Sequence, residues 1–110
     1  MLPPAPCVTA FVTAPDVDTA RKIAQVVLAQ KFAACANILP GVESHYWWEG
    51  KIEHSAEALI IFKTTAQLQG FLRDCVIANH PYQTPEFIAL QIDWGHEPYM
   101  EWIRRSVARG

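Results

Sequence analysis

The sequence predicts an α/β (α+β) chain with elements in the order β-α-β-β-α-β and an extra helix at the C-terminal end. Three observations predict it. β-branched, two-fold patterning brackets a segment of helical periodicity. A Glu49-Gly50 pair sits between two long strand-like arms. A second helical stripe, ended by Asn79-His80-Pro81, is followed by one more strand pattern.

Cys7 to Thr13 is rich in β-branched residues and reads as the first strand. Pro15-Asp16 punctuates it, with Asp16 placed to cap the next helix and Asp18 in the first turn, where the helix dipole favours an acid. Ala20, Ile23, Ala24, Val27 and Leu28 recur at helical spacing, with Arg21, Lys22, Gln25 and Lys31 on the wet side. Strand patterning then runs from Ala34 to Thr64. Pro40-Gly41 interrupts its first arm and predicts a bend or bulge. Ala56 to Phe62 is apolar on both alternations, as in a strand buried on both faces. Thr65 is placed to cap a helix whose stripe is Leu68, Phe71, Leu72, Cys75 and Val76. Phe87 to Trp94 reads as the last strand, with Ile88, Leu90, Ile92 and Trp94 on one side. A short helix from about Pro98 to Val107 closes the chain, with proline in its first turn. This is the ferredoxin-like order, an antiparallel sheet with two helices on one face.

Composition bounds the organisation. At 110 residues there is room for one core, and 51% apolar residues suffice to build it. Residues 1–6 read as a short, loosely ordered, proline-rich lead-in rather than a signal peptide, and residues 7–110 as a single domain. The net charge of −2 is spread without a basic cluster, which argues against nucleic-acid and membrane partners. Three cysteines with no CxxC spacing fit reduced thiols and a cytoplasmic location.

Two helices leave one sheet face uncovered, and Tyr46, Trp47 and Trp48 crowd the end of an arm that reaches about 23 Å from Val42 at about 3.3 Å per residue. Large apolar groups so placed predict association with further copies of the chain.

Several residues carry possible chemistry, each beside a plainer reading. Cys75 and His80 are a soft-plus-imidazole pair suited to copper or zinc, while Cys75 equally belongs to the helix stripe as a small hydrophobe. Cys35 is a further thiol, or simply packed. With a two-residue turn at Glu49-Gly50, His45 falls opposite His54, about 5 Å apart at Cβ. The pair is an alternative metal site, or two solvated surface histidines short of the usual three or four ligands. Trp48, Lys51, Glu53, Lys63, Tyr82 and Glu86 lie near strand ends and turns. Around an inter-subunit cleft they are candidates for a small anion or a ligand carboxylate, or for bonds stitching subunits together.

Catalysis finds no support: no serine lies in a nucleophile elbow and no cysteine has a histidine placed to activate it. RNA-recognition domains share the topology, yet the strand Glu57 to Lys63 is aliphatic where they carry stacking aromatics. Thr13-Ala14-Pro15-Asp16 offers no glycine-rich phosphate cradle of the acylphosphatase kind.

Taken together, Thr13-Ala14-Pro15, Ala33-Ala34-Cys35-Ala36-Asn37-Ile38, Pro40-Gly41-Val42, Tyr46-x-Trp48-x-Gly50-Lys51-Ile52-Glu53, Lys63-Thr64 and His80-Pro81-Tyr82-x-x-Pro85-Glu86 resemble the CutA proteins over residues 7–107. The resemblance implies a homotrimer of ferredoxin-like subunits, similar in architecture to the PII signalling proteins. It implies a cytoplasmic, non-enzymatic protein of divalent-cation tolerance that requires no cofactor. Copper, or another divalent metal, is then the candidate ligand, through Cys35, Cys75 and His80. The family's third cysteine is absent, since Val12 stands at its position and Cys7 lies five residues earlier. A PII-like sensor binding a small metabolite between subunits is the alternative.

Overall fold

The computed structural model describes residues 3–109; Met1 and Leu2 of the lead-in and Gly110 lie outside it. The elements are β1 (Cys7–Ala14), α1 (Val17–Ala29), β2 (Cys35–Trp48), β3 (Lys51–Thr65), a 3₁₀ turn (Ala66–Leu68), α2 (Gln69–Ala78), β4 (Ile88–Gln91) and α3 (Glu97–Ser106). One four-stranded sheet has the order β2-β3-β1-β4, with every pair antiparallel. This is the ferredoxin-like arrangement the sequence predicts, with the added C-terminal helix.

Local chemistry sets the element ends. The Asp16 carboxylate accepts from Thr19 N–H at 2.7 Å, and that bond holds its pKa below the ordinary carboxylate value. Glu49 and Gly50 both have positive φ (50° and 77°), the geometry of a two-residue hairpin turn whose twist matches the strands. Gly41 (φ 72°) forms the bulge, and the β2–β3 register shifts between Leu39 and Val42. The lead-in is tied down where it enters β1: the Pro6 carbonyl accepts from Ala66 N–H and the Ala5 carbonyl from Arg104, each at 2.8 Å.

The main core lies between the sheet and the pair α1, α2. Ala10, Val12, Ala14, Ala58, Ile60 and Phe62 face Ile23 and Val27 of α1 and Leu72 and Val76 of α2. Cys7, out of phase with Ala10 and Val12, points to the opposite face and packs with Met100 and Ile103 of α3. The third helix therefore covers one end of the face that the two-helix expectation left bare. The rest stays open: Phe11, Leu59 and Ile61 are half-buried, and Leu39, Ile88 and Leu90 are exposed.

Four expectations are corrected. The last strand is only Ile88–Gln91: β4 pairs with β1 over Val8–Phe11, Ile92 N–H adds one bond to the Cys7 carbonyl at 2.9 Å, and the chain then leaves the sheet, with Trp94 91% exposed. Thr65 makes no side-chain cap: β3 runs through it in ladder with Cys7, and the helix is entered by a 3₁₀ turn. Leu28 and Phe71 lie outside the buried stripes of their helices, and Phe71 instead stacks on Phe32 at 5.8 Å. Within one chain β3 is sealed on a single face, with Ala58, Ile60 and Phe62 fully buried and Ala56 exposed.

Candidate functional site

The thiols and the histidine proposed for copper occupy different places. Cys35 opens β2 opposite Lys63, on the α3 side of the sheet, with its Sγ 3.7 Å from the Tyr99 hydroxyl. Cys75 lies on α2 and packs against the main core on the other side of the sheet. Burial pushes the Cys75 thiol up, which disfavours the thiolate that a metal needs. His80 has neither ring nitrogen free. Its Nε2–H donates to the Thr13 carbonyl at 2.8 Å, and its Nδ1 accepts from Tyr82 N–H at 3.1 Å. Its role is to lock the segment after α2 onto the end of β1. Among the described residues no group of three or more His, Cys, Asp or Glu side chains is gathered to hold a metal ion. Within one chain, Cys35, Cys75 and His80 do not fit a shared copper ion.

The residues assigned to a cleft separate into three positions. Trp48 opposes Lys51 and Tyr46 opposes Glu53 at the hairpin tip. Lys63 sits at the far end of β3, where its ammonium donates to Asn37 Oδ1. Tyr82 and Glu86 lie at the base of the hairpin, about 20 Å from either lysine at about 3.3 Å per residue along β3. There the Tyr82 hydroxyl donates to Glu57 Oε2 at 2.7 Å, and its ring lies 4.7 Å from that of His80. Burial, the bond to Glu57 and the Glu57 charge together raise the Tyr82 phenol well above its ordinary value. Burial, then the Glu57 charge, raises the Glu86 carboxyl as well.

Glu57 is the member of this cluster that the sequence reading missed. The signal was present, since Glu57 shares the phase of Lys51 and Glu53 along β3 and therefore their face. A shallow hollow of about 240 Å³ beside it is lined by Pro15, Asp16, Gly41 and Ala56 among others. With Glu57, Glu86 and Asp16 close by and both lysines remote, one chain does not build an anion site here. A larger hollow of about 400 Å³, between the end of β4 and α3, is lined by Cys7, Ile92, Trp94, Met100 and Arg104. Burial raises the Cys7 thiol, which packs with Met100 and Ile103 and approaches the Met100 carbonyl at 3.8 Å.

The imidazoles of the hairpin do meet. His45 pairs with His54 in the ladder, and their ring centroids are 5.6 Å apart.

Comparison with known proteins places the fold. The family described as CutA1 divalent ion tolerance protein matches residues 8–106. The chain belongs to the CutA1 family. It is 47% identical over 100 residues to the divalent-cation tolerance protein CutA of Salmonella newport (strain SL254), covering 91% of this chain and 87% of that one. It is 45% identical over 101 residues to the chloroplastic protein CutA 1 of Oryza sativa subsp. japonica, spanning 92% of this chain but only 57% of that longer protein. The crystal structure of CutA1 from Oryza sativa superposes with a TM-score of 0.92 at 42% identity, over 96% of this chain and 97% of that one. Among the described residues no helix is long and apolar enough to cross a membrane.

Proposed function

We propose that this CutA1-family chain is a non-catalytic divalent-cation tolerance protein that works as a homotrimer in a reducing, cytoplasmic setting. The observation that carries the assembly is the open sheet face. Phe11, Leu39, Leu59, Ile61, Ile88 and Leu90 form one surface by register, and α3 covers only its end. The same face of β3 continues past Glu57 into the aromatic hairpin, where Trp48 is 61% exposed. Apolar area of that extent is stabilised by burial against another copy, and the family resemblance supplies the number three. The three unpaired thiols support the reducing compartment. The tolerance role rests on the relatives, which are divalent-cation tolerance proteins by name.

The copper assignment is narrower. The thiol set is divided by the sheet within one chain, so a thiol-bound ion has to draw on more than one subunit. The second reading is a PII-like sensor. The hollow beside Glu57, at the base of the hairpin, favours it. With Glu57 and Glu86 there, the ligand class is a small cationic or hydrogen-bond-donating molecule.

A strain lacking the gene, restored with the full chain and grown on graded copper and zinc, tests the tolerance role. Restored growth supports it, and identical growth with and without the chain overturns it. Calorimetric titration with a panel of small cationic metabolites tests the second reading, which predicts saturable binding that Glu57→Gln abolishes.

A further inference from the structure

Glu43, His45 and His54 project from the hairpin face they share with Trp47 and Ile52, opposite the Tyr46, Trp48, Lys51 and Glu53 face that continues the open sheet surface. The pairing of His45 with His54 is fixed by the two-residue turn at Glu49-Gly50, so the ladder itself holds the two rings beside each other. His45 Nε2–H donates to Glu43 Oε2 at 2.7 Å. A carboxylate only accepts, so this bond puts the ring proton on Nε2 and leaves the Nδ1 lone pair for another partner. Donation from the second ring nitrogen to a carboxylate is the arrangement that orients metal-ligating histidines and makes the coordinating nitrogen more basic. The geometry points to a surface site for a divalent transition cation of the imidazole-preferring class, such as Cu²⁺ or Zn²⁺, with His45 and His54 as ligands and Glu43 as their positioning carboxylate.

Scale and mobility agree with this assignment. Imidazole nitrogens bind such ions at about 2.0–2.1 Å, so two nitrogens on one ion stand within roughly 4 Å of each other. Exposed rings with centroids 5.6 Å apart reach that separation by side-chain rotation, with no change to the ladder. No third His, Cys, Asp or Glu converges on the point among the described residues, so water completes the coordination. A site of two imidazoles and water holds its ion exchangeably, unlike a closed structural site of four protein ligands. Imidazole also selects a different ion from the thiols, which as soft ligands favour reduced copper.

This inference deepens the divalent-cation reading by naming ligands that lie within one chain. Its test is a Cu²⁺ titration of the full chain carrying Cys35→Ser/Cys75→Ser, so that those two thiols do not reduce the ion, followed by calorimetry and electron paramagnetic resonance. The expected result is about one ion per chain with nitrogen hyperfine structure from imidazole. His45→Ala and His54→Ala each weaken binding at least tenfold and remove that structure. Glu43→Gln, which keeps both ligands, weakens it about 10–100-fold. All four side chains substituted on the hairpin and α3-side strand end are at least partly exposed, and far-ultraviolet circular dichroism checks that each variant stays folded. Tight binding unchanged by both histidine variants, or loss of binding on removing the thiols alone, overturns the site. Neither result touches the growth phenotype, which decides the tolerance role separately.

Discussion

The two halves of the β2–β3 hairpin differ in what shelters them. Below the Pro40-Gly41 bulge, Ala58, Ile60 and Phe62 of β3 are fully buried beneath α1 and α2. Above it, the same two strands carry Trp47, Trp48 and Ile52 at 72%, 61% and 66% exposure. Both halves are rich in large apolar groups and belong to the same pair of strands, with the register shift of the bulge between them. Trp47 and Ile52 lie on the face that α1 and α2 cover lower down but no longer reach here, whereas Trp48 lies on the opposite, open face. The lower half therefore holds the monomer together, and the upper half is left with apolar surface that the chain itself cannot cover.

The sharpest way to break that contrast is to cut into each half. Phe62→Ala removes a fully buried ring and is expected to lower the unfolding free energy by about 3–5 kcal/mol in urea titration. A loss under 1 kcal/mol would mean that the core is not centred there. Trp48→Ala is expected to leave the circular dichroism unchanged but to weaken association by about 2 kcal/mol or more, roughly 30-fold, seen by sedimentation at falling concentration. Unchanged association would make the exposed tryptophan a mere surface group.

Smaller effects sharpen the boundary between the halves. Gly50→Ala forces a Cβ into the left-handed region at φ 77° and is expected to cost about 1–2 kcal/mol, all of it in the hairpin. Hydrogen exchange should speed near residues 46–53 while Ile60 and Phe62 stay protected; equal loosening of both halves would show that they unfold as one. Tyr82→Phe removes the bond to Glu57 that ties the segment after α2 to the hairpin base, worth about 1 kcal/mol by urea unfolding. No change would mean that water replaces that bond without cost.

The smallest effect concerns pH. Glu86 is raised in the folded state, first by burial and then by the Glu57 charge. The folded chain thus holds that proton more tightly than the unfolded one. The stability it contributes is present below the unfolded pKa and is lost as pH rises through the folded value. Glu86→Gln should flatten the stability slope just above the ordinary carboxylate range, and an unaltered slope would remove Glu86 from the cluster.

Much of the fold was legible because short-range chemistry wrote it. Asp16, Glu49-Gly50, Pro40-Gly41 and Asn79-His80-Pro81 each impose a cap, turn, bulge or stop wherever the rest of the chain lies. What was not legible depends on tertiary contact. Thr65 has good cap chemistry, but its ladder with Cys7 takes precedence. Ile92 and Trp94 continue a strand pattern. Ile92 N–H still donates to the Cys7 carbonyl at 2.9 Å, but β1 begins there and offers Trp94 no partner. The placement of α3 on the second face follows from Cys7, Met100 and Ile103 meeting, which no spacing rule indicates. The site divides in the same way. The His45–His54 pairing follows from counting across a turn. The separation of Cys35 from Cys75 by the sheet, and the double engagement of His80, need three dimensions.

The central claim is that the face running from Ile88 and Phe11 through Leu59 to the hairpin is an interface between copies. Light scattering on the purified chain at low micromolar concentration tests it directly. The account predicts a single species of three times the 12.4 kDa chain mass. A folded, soluble species of one chain mass at that concentration would contradict it.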